Sequence, residues 1–298
     1  MQIMKSSEPC PFCGLSSSEK MTEEHWIPQS WREFFPLPKI FVTRRSVEGE
    51  RGATNVEYRT PYDQRWGGIC GPCNNDWLRK LDEASKARLL NLAYKTTSTV
   101  PASEVHTVAM ALTRAALMRI WGDKDEHDYP SAAFRQFRDS AIPPDGTHVF
   151  VGFGDEPFIY AGGQHASMVR TDGRSDGTHI VAWGLGWLFV IVVVPRDANI
   201  SLASTAASAI ARVSRAAGRP LVKLWPRKRG AALHLPLTDQ LSREFALFMT
   251  QAKTLTTGQM PVIMEDMPEK LEQLMNVPEE ELARWVRMPS KPLPPLPE

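Results

Sequence analysis

Cys10-Pro11-Phe12-Cys13, Glu24-His25-Trp26-Ile27-Pro28 and Cys70-Gly71-Pro72-Cys73-Asn74-Asn75-Asp76 are the stretches whose reading decides this fold. The two Cys-x-x-Cys pairs use all four cysteines of the chain. Four thiolates in such pairs can close a tetrahedral zinc shell, and a closed shell has no open position, so the implied zinc is structural. A small module with long polar connections has too little core to stand alone, and metal ligation supplies the missing folding free energy. The bracket leaves Glu24, His25 and Asn74 for other work. A neutral imidazole can take a proton from water near neutral pH. Glu24 and the amide oxygen of Asn74 are hard oxygen donors suited to Mg²⁺ or Mn²⁺. Each has a plainer role as well: His25 as a packed histidine beside Trp26, and Asn74, Asn75 or Asp76 as a helix cap. On a strand, Glu24 and His25 point to opposite faces, so they share a site only where the strand twists, ends or bulges.

The totals exclude several classes. The net charge of the 298 residues is +1, so any attraction for nucleic acid must be local. No apolar run is long enough for a membrane helix, and Phe189–Val194 reads as a buried strand. No apolar segment follows Met1, so a cytoplasmic, reducing location is expected, with metal-bound thiolates rather than disulfides. Two regions are candidate phosphate-binding surfaces. Arg44, Arg45 and Arg51 lie inside the bracket, diluted by Glu48, Glu50 and Glu57. Between residues 198 and 238 there is no Asp or Glu, while Arg212, Arg215, Arg219, Arg227, Lys228 and Arg229 are basic. The plainer reading of both is a solvated face.

The expected fold class is α+β, in four segments. Residues 1–97 form the stapled module, with short strands over 39–43 and 55–59 and a helix from about Asn74 to Thr97. Residues 98–146 form a helical connector with helices from Ser103 to Gly122 and through Phe134 and Phe137. Residues 147–288 form an α+β domain of unassigned role. Its strands are expected over 147–153, 158–169, 178–183 and 187–194, with a turn at Gly184–Gly186. Helices over 201–217, 238–251 and 279–287 and a strand over 221–225 complete that segment. Residues 289–298 form a frayed, Pro-rich tail.

Cys10-x-x-Cys13, Glu24-His25-x-x-Pro28 and Cys70-x-x-Cys73-Asn74 resemble the zinc-stapled branch of the HNH, or His-Me finger, endonucleases. They are also similar to the motif of phage recombination endonuclease VII. The resemblance covers roughly residues 8–82. It implies a ββα-metal module, a β-hairpin followed by a helix around one divalent ion. His25 would be the general base, and Glu24 and Asn74 would bind Mg²⁺ or Mn²⁺ against the scissile phosphate of a DNA substrate. Glu24 stands where the family commonly has Asp, and Trp66-Gly67-Gly68-Ile69 stands where HNH modules place an Asn that fixes the loop carrying the base. Asn55 is the candidate substitute. The competing reading is a non-catalytic zinc module that binds nucleic acid or a protein partner. A homo-oligomer is compatible with either.

Overall fold

The computed structural model describes residues 9–15, 21–35, 40–44, 55–59, 61–122, 130–158, 164–169, 177–196, 200–216, 218, 221–227, 230–238, 240–242 and 293–296. Among these, helices and antiparallel sheets are mixed, compatible with the α+β class. Strand β1 (Met21–His25) pairs with a strand far along the chain and not with the strands next in sequence, β2 (Ile40–Arg44) and β3 (Asn55–Arg59). Those two pair with each other, as their β-branched and aromatic residues suggest. The partner of β1 is β4 (Arg65–Cys70), with Met21 opposite Cys70 and His25 opposite Arg65.

The chain leaves β4 through a six-residue π-helical turn, Cys73–Leu78, and continues as α1 (Arg79–Ala93). The turn has no side-chain cap: Pro72 sits at its N-cap position and Asn74 is turned toward β1 instead. After the two-residue strand β5 (Thr99–Val100) come α2 (Val105–Gly122) and α3 (Ser131–Ser140), close to the expected helices. Helix α2 is buried on nearly all sides, which its Ala-, Leu- and Met-rich composition permits.

The large sheet has the order β7-β8-β6-β9, from β6 (His148–Phe158), β7 (Gln164–Val169), β8 (Gly177–Pro195) and β9 (Val222–Trp225). The expected break at Gly184–Gly186 does not occur. β8 runs unbroken for 19 residues, pairing first with β7 (177–182) and then with β6 (186–193). Gly186 is required for close approach, not for a turn. Its φ is +57°, and an added Cβ would lie 2.3 Å from the Ala93 carbonyl oxygen and 2.9 Å from the Phe35 ring. Alternate residues of β8 feed two cores. Leu188, Val190, Val192 and Val194 join the cluster that contains Trp26, Leu89 and Trp121. Phe189, Ile191 and Val193 pack under α4 (Ser201–Ala216) with Ala203, Ala207 and Ile210. Burial on both faces explains why this strand reads as a continuous apolar run.

The last strand, β10 (Leu233–His234), pairs with β5. Leu241 bridges Gly154, so the helix expected from residue 238 does not begin there; its remainder and the helix expected at 279–287 lie outside the described residues. The tail is not frayed throughout: Leu293 packs against the main core and the Asn91 amide donates to the Pro294 carbonyl at 3.4 Å. Among the described residues no helix is long and apolar enough to cross a membrane.

Candidate metal centre and active site

The start of β1 and the end of β4 bring the two Cys-x-x-Cys pairs together. The Sγ atoms of Cys10, Cys13, Cys70 and Cys73 all lie within 4.8 Å of one another. Four sulfurs about 2.3 Å from a tetrahedral zinc are separated by roughly 3.8 Å, so the cluster is the right size for that ion. The Cys13–Cys70 sulfurs are 3.4 Å apart, far beyond a disulfide bond, and all four thiols are free. Their ionisation is interdependent. The Cys73 thiol stabilises a thiolate on Cys10, drawing Cys10 down to about 4, while Cys73 is pushed up by the same contact and Cys70 is raised to about 11 by burial. The four cysteines thus form a cluster able to hold a metal such as zinc.

Asn74, directly after the fourth cysteine, reaches back across the hairpin. Its Nδ2 donates to Thr22 Oγ1 at 2.8 Å and to the Glu23 carbonyl at 3.0 Å. This placement depends on the π-helical turn, a rare form that recurs at functional sites. His25 lies two residues further along β1, about 7 Å of strand rise. Its Nε2 is buried with no hydrogen-bond partner. Burial and the Arg65 guanidinium lower its pKa below the ordinary imidazole value, against the opposing pull of Glu23 and Asp63. That shift favours the neutral form of the ring.

Glu24 is elsewhere. The ladder between β1 and β4 slips between Thr22 and Glu24: one β1 residue, Glu23, faces Gly67 and Gly68 of β4. Gly68 has φ +91°, the backbone that glycine adopts in a bulge. Because the extra residue sits in β4, the side chains of β1 keep strict alternation. Glu24 points inward, 6% exposed, and forms an ion pair with Arg114 of α2. Glu23, on the outward side with His25, takes Arg65 Nη1 on its Oε2 at 2.8 Å.

Arg114 is the residue that sequence reading missed. It is fully buried; burial lowers it to about 9, still protonated at neutral pH. Besides Glu24, it lies 3.4 Å from Asp82, whose carboxyl burial raises well above the usual range, and its Nη1 donates to the Trp26 carbonyl at 2.6 Å. A cavity of about 30 Å³, room for one or two waters, adjoins it between Trp26, Trp31 and Trp183. The loop after His25 is thus fixed from α2, and Trp121 Nε1 similarly holds the Gly67 carbonyl at 2.8 Å. Asn55, the sequence candidate for that task, pairs with Arg44 in the separate β2–β3 sheet. A single arginine in the apolar run Ala109–Met118 was the available signal.

The basic residues divide. Arg212 and Arg215 are exposed on α4, and Arg227 Nη2 donates to the Ala232 carbonyl at 3.0 Å. Arg44 ends β2; Arg45, Arg51, Arg219, Lys228 and Arg229 lie outside the described residues. Comparison with protein-family models, with curated proteins and with solved structures finds no match to this chain.

Proposed function

We propose that this protein is a metal-dependent HNH-type endonuclease that hydrolyses phosphodiester bonds, with DNA as substrate. The observation that carries the reading is a His25 imidazole whose Nε2 has no hydrogen-bond partner, on the strand to which the residue after a four-sulfur cluster brings an asparagine amide. The four cysteines hold a structural zinc. His25 takes a proton from the attacking water as the oxygen bonds to phosphorus. The bond to the 3′ oxygen breaks, that oxygen is protonated from solvent, and the products carry a 5′-phosphate and a 3′-hydroxyl. Glu24 and Asn74 would hold a Mg²⁺ or Mn²⁺ ion, which would supply charge neutralisation at the phosphate. Exposed Arg212 and Arg215 are candidates to follow the phosphate backbone.

A second reading, a non-catalytic zinc module that binds nucleic acid or a protein partner, is favoured by one observation: the Glu24 carboxylate is already engaged by Arg114. Plasmid nicking with Mg²⁺ or Mn²⁺ separates the two. His25→Ala is expected to lower the nicking rate at least about 100-fold, the usual share of a general base. Wild-type protein that retains DNA in a gel-shift assay but never nicks it would establish the second reading instead.

A further inference from the structure

We propose that the face of α1 around Asn91 is a docking site for a proline-rich segment in the polyproline II conformation, and that residues 293–296 of this chain are its occupant. The inference is independent of the hydrolase reading and concerns a surface which that reading does not use.

The occupant has the chemistry for such a seat. Pro292-Leu293-Pro294-Pro295-Leu296-Pro297 favours polyproline II. That helix repeats about every three residues and makes no internal hydrogen bonds, so its carbonyls are open to an outside donor. Burial follows the repeat: Leu293, Pro294 and Leu296 are half-buried, and Pro295 is exposed. Leu293 and Leu296, three residues apart, therefore share the edge turned toward the protein, and Leu293 packs against the main core.

The seat is organised from within α1. Asn91 is buried in the last turn of that helix, 8% exposed. Thr96 Oγ1 donates to its Oδ1 at 2.6 Å, and its Nδ2 donates to the Ala87 carbonyl at 2.8 Å. These two bonds fix the plane of the amide and use one of its two N–H donors. The other reaches the Pro294 carbonyl at 3.4 Å. A buried amide donor left unmade costs free energy, and a polyproline II carbonyl has no partner of its own, so each group supplies what the other lacks. An oriented amide beside an apolar contact is the kind of surface that recognises proline-rich segments. The segment of the same chain has the advantage over any free copy, because a tethered ligand meets its site at an effective concentration of roughly millimolar order.

The test uses the full-length chain and a fluorescein-labelled peptide with the sequence of residues 289–298, followed by fluorescence anisotropy. Leu293→Asp puts a charge on the docked edge and is expected to free the seat, so this chain should bind the peptide saturably. Wild type, its seat filled by a tethered copy, should bind the peptide at least about tenfold more weakly. The same peptide with both leucines changed to serine should bind neither chain. Leu296→Asp, on the same edge, is the second variant and should behave as Leu293→Asp does, so that misfolding of one leaves the other to decide. Equal affinity of the peptide for wild type and variant would mean an empty seat in wild type and would overturn the assigned occupant. A folded variant that binds no peptide, or that binds the serine peptide equally well, overturns the docking site itself. Wild-type protein that dimerises in sedimentation while both variants stay monomeric would give the seat to the segment of a second copy and overturn the occupant named here.

Discussion

In the four-stranded sheet, strand β8 is covered on both faces by aliphatic and aromatic side chains, with Val190 to Val194 almost completely buried. In the β1–β4 hairpin the corresponding work is divided among sulfur, amide and guanidinium groups: the four-cysteine cluster at one end, Asn74 across the middle, and Arg114 and Trp121 gripping backbone carbonyls at the other. The sheet draws on burial, which is non-directional and tolerates small adjustments. The hairpin depends on a few directional contacts, each placing a particular atom. A metal-holding cluster demands the second kind of construction, because its ligand atoms must be kept at fixed positions.

The sharpest way to break this contrast is to deny the four-cysteine cluster a metal. Chelation of zinc, or Cys73→Ser, is expected to unfold the hairpin, since structural zinc in small modules contributes about 10–16 kcal/mol of apparent binding free energy. Circular dichroism and metal analysis check it; soluble, folded protein with no bound metal would contradict it. Next in size is Arg114→Ala. It strips the partner from a buried Glu24 and the tie from the Trp26 carbonyl, and is expected to cost about 3–5 kcal/mol in denaturant unfolding. The double variant Arg114→Met with Glu24→Gln should recover part of that loss, because it leaves no unpaired charge at position 24.

The smallest effect belongs to the sheet. Burial, and secondarily Lys223, depress His148 from 6.5 to about 4. A histidine whose folded pKa lies below its unfolded value contributes stability fully present above pH 6.5. That contribution is lost as the pH falls through the window to about 4, because the unfolded chain binds the proton first. Replacing His148 with leucine is expected to flatten the melting temperature between pH 6.5 and 4. An unchanged acid limb would mean that His25 and the hairpin, not the sheet, set the acid response.

How much of this was legible depends on the range of the interactions. The clustering of the cysteine pairs and the helices through Leu89, Leu112 and Phe137 follow from local spacing, and the structure has them close to where the sequence places them. Which glutamate faces His25 could not be read from β1 alone, since it turns on where the bulge lies, and that is decided by Gly67 and Gly68 of a strand some forty residues away. The docking of Arg114 on Trp26 is equally non-local. Gly184 and Gly186 read as a turn because glycine is the usual turn residue; here a helix end occupies the space a side chain would need, a tertiary reason that outweighs the local one.

That last contact couples the two constructions. At its midpoint β8 touches the final residue of α1 through nothing larger than a hydrogen atom. The helix that begins beside Asn74 therefore has its far end resting on the centre of the sheet, like a rod seated on a beam. Even a methyl group at position 186 would press along that rod, so the sheet acts as a gauge for the distance between helix and hairpin.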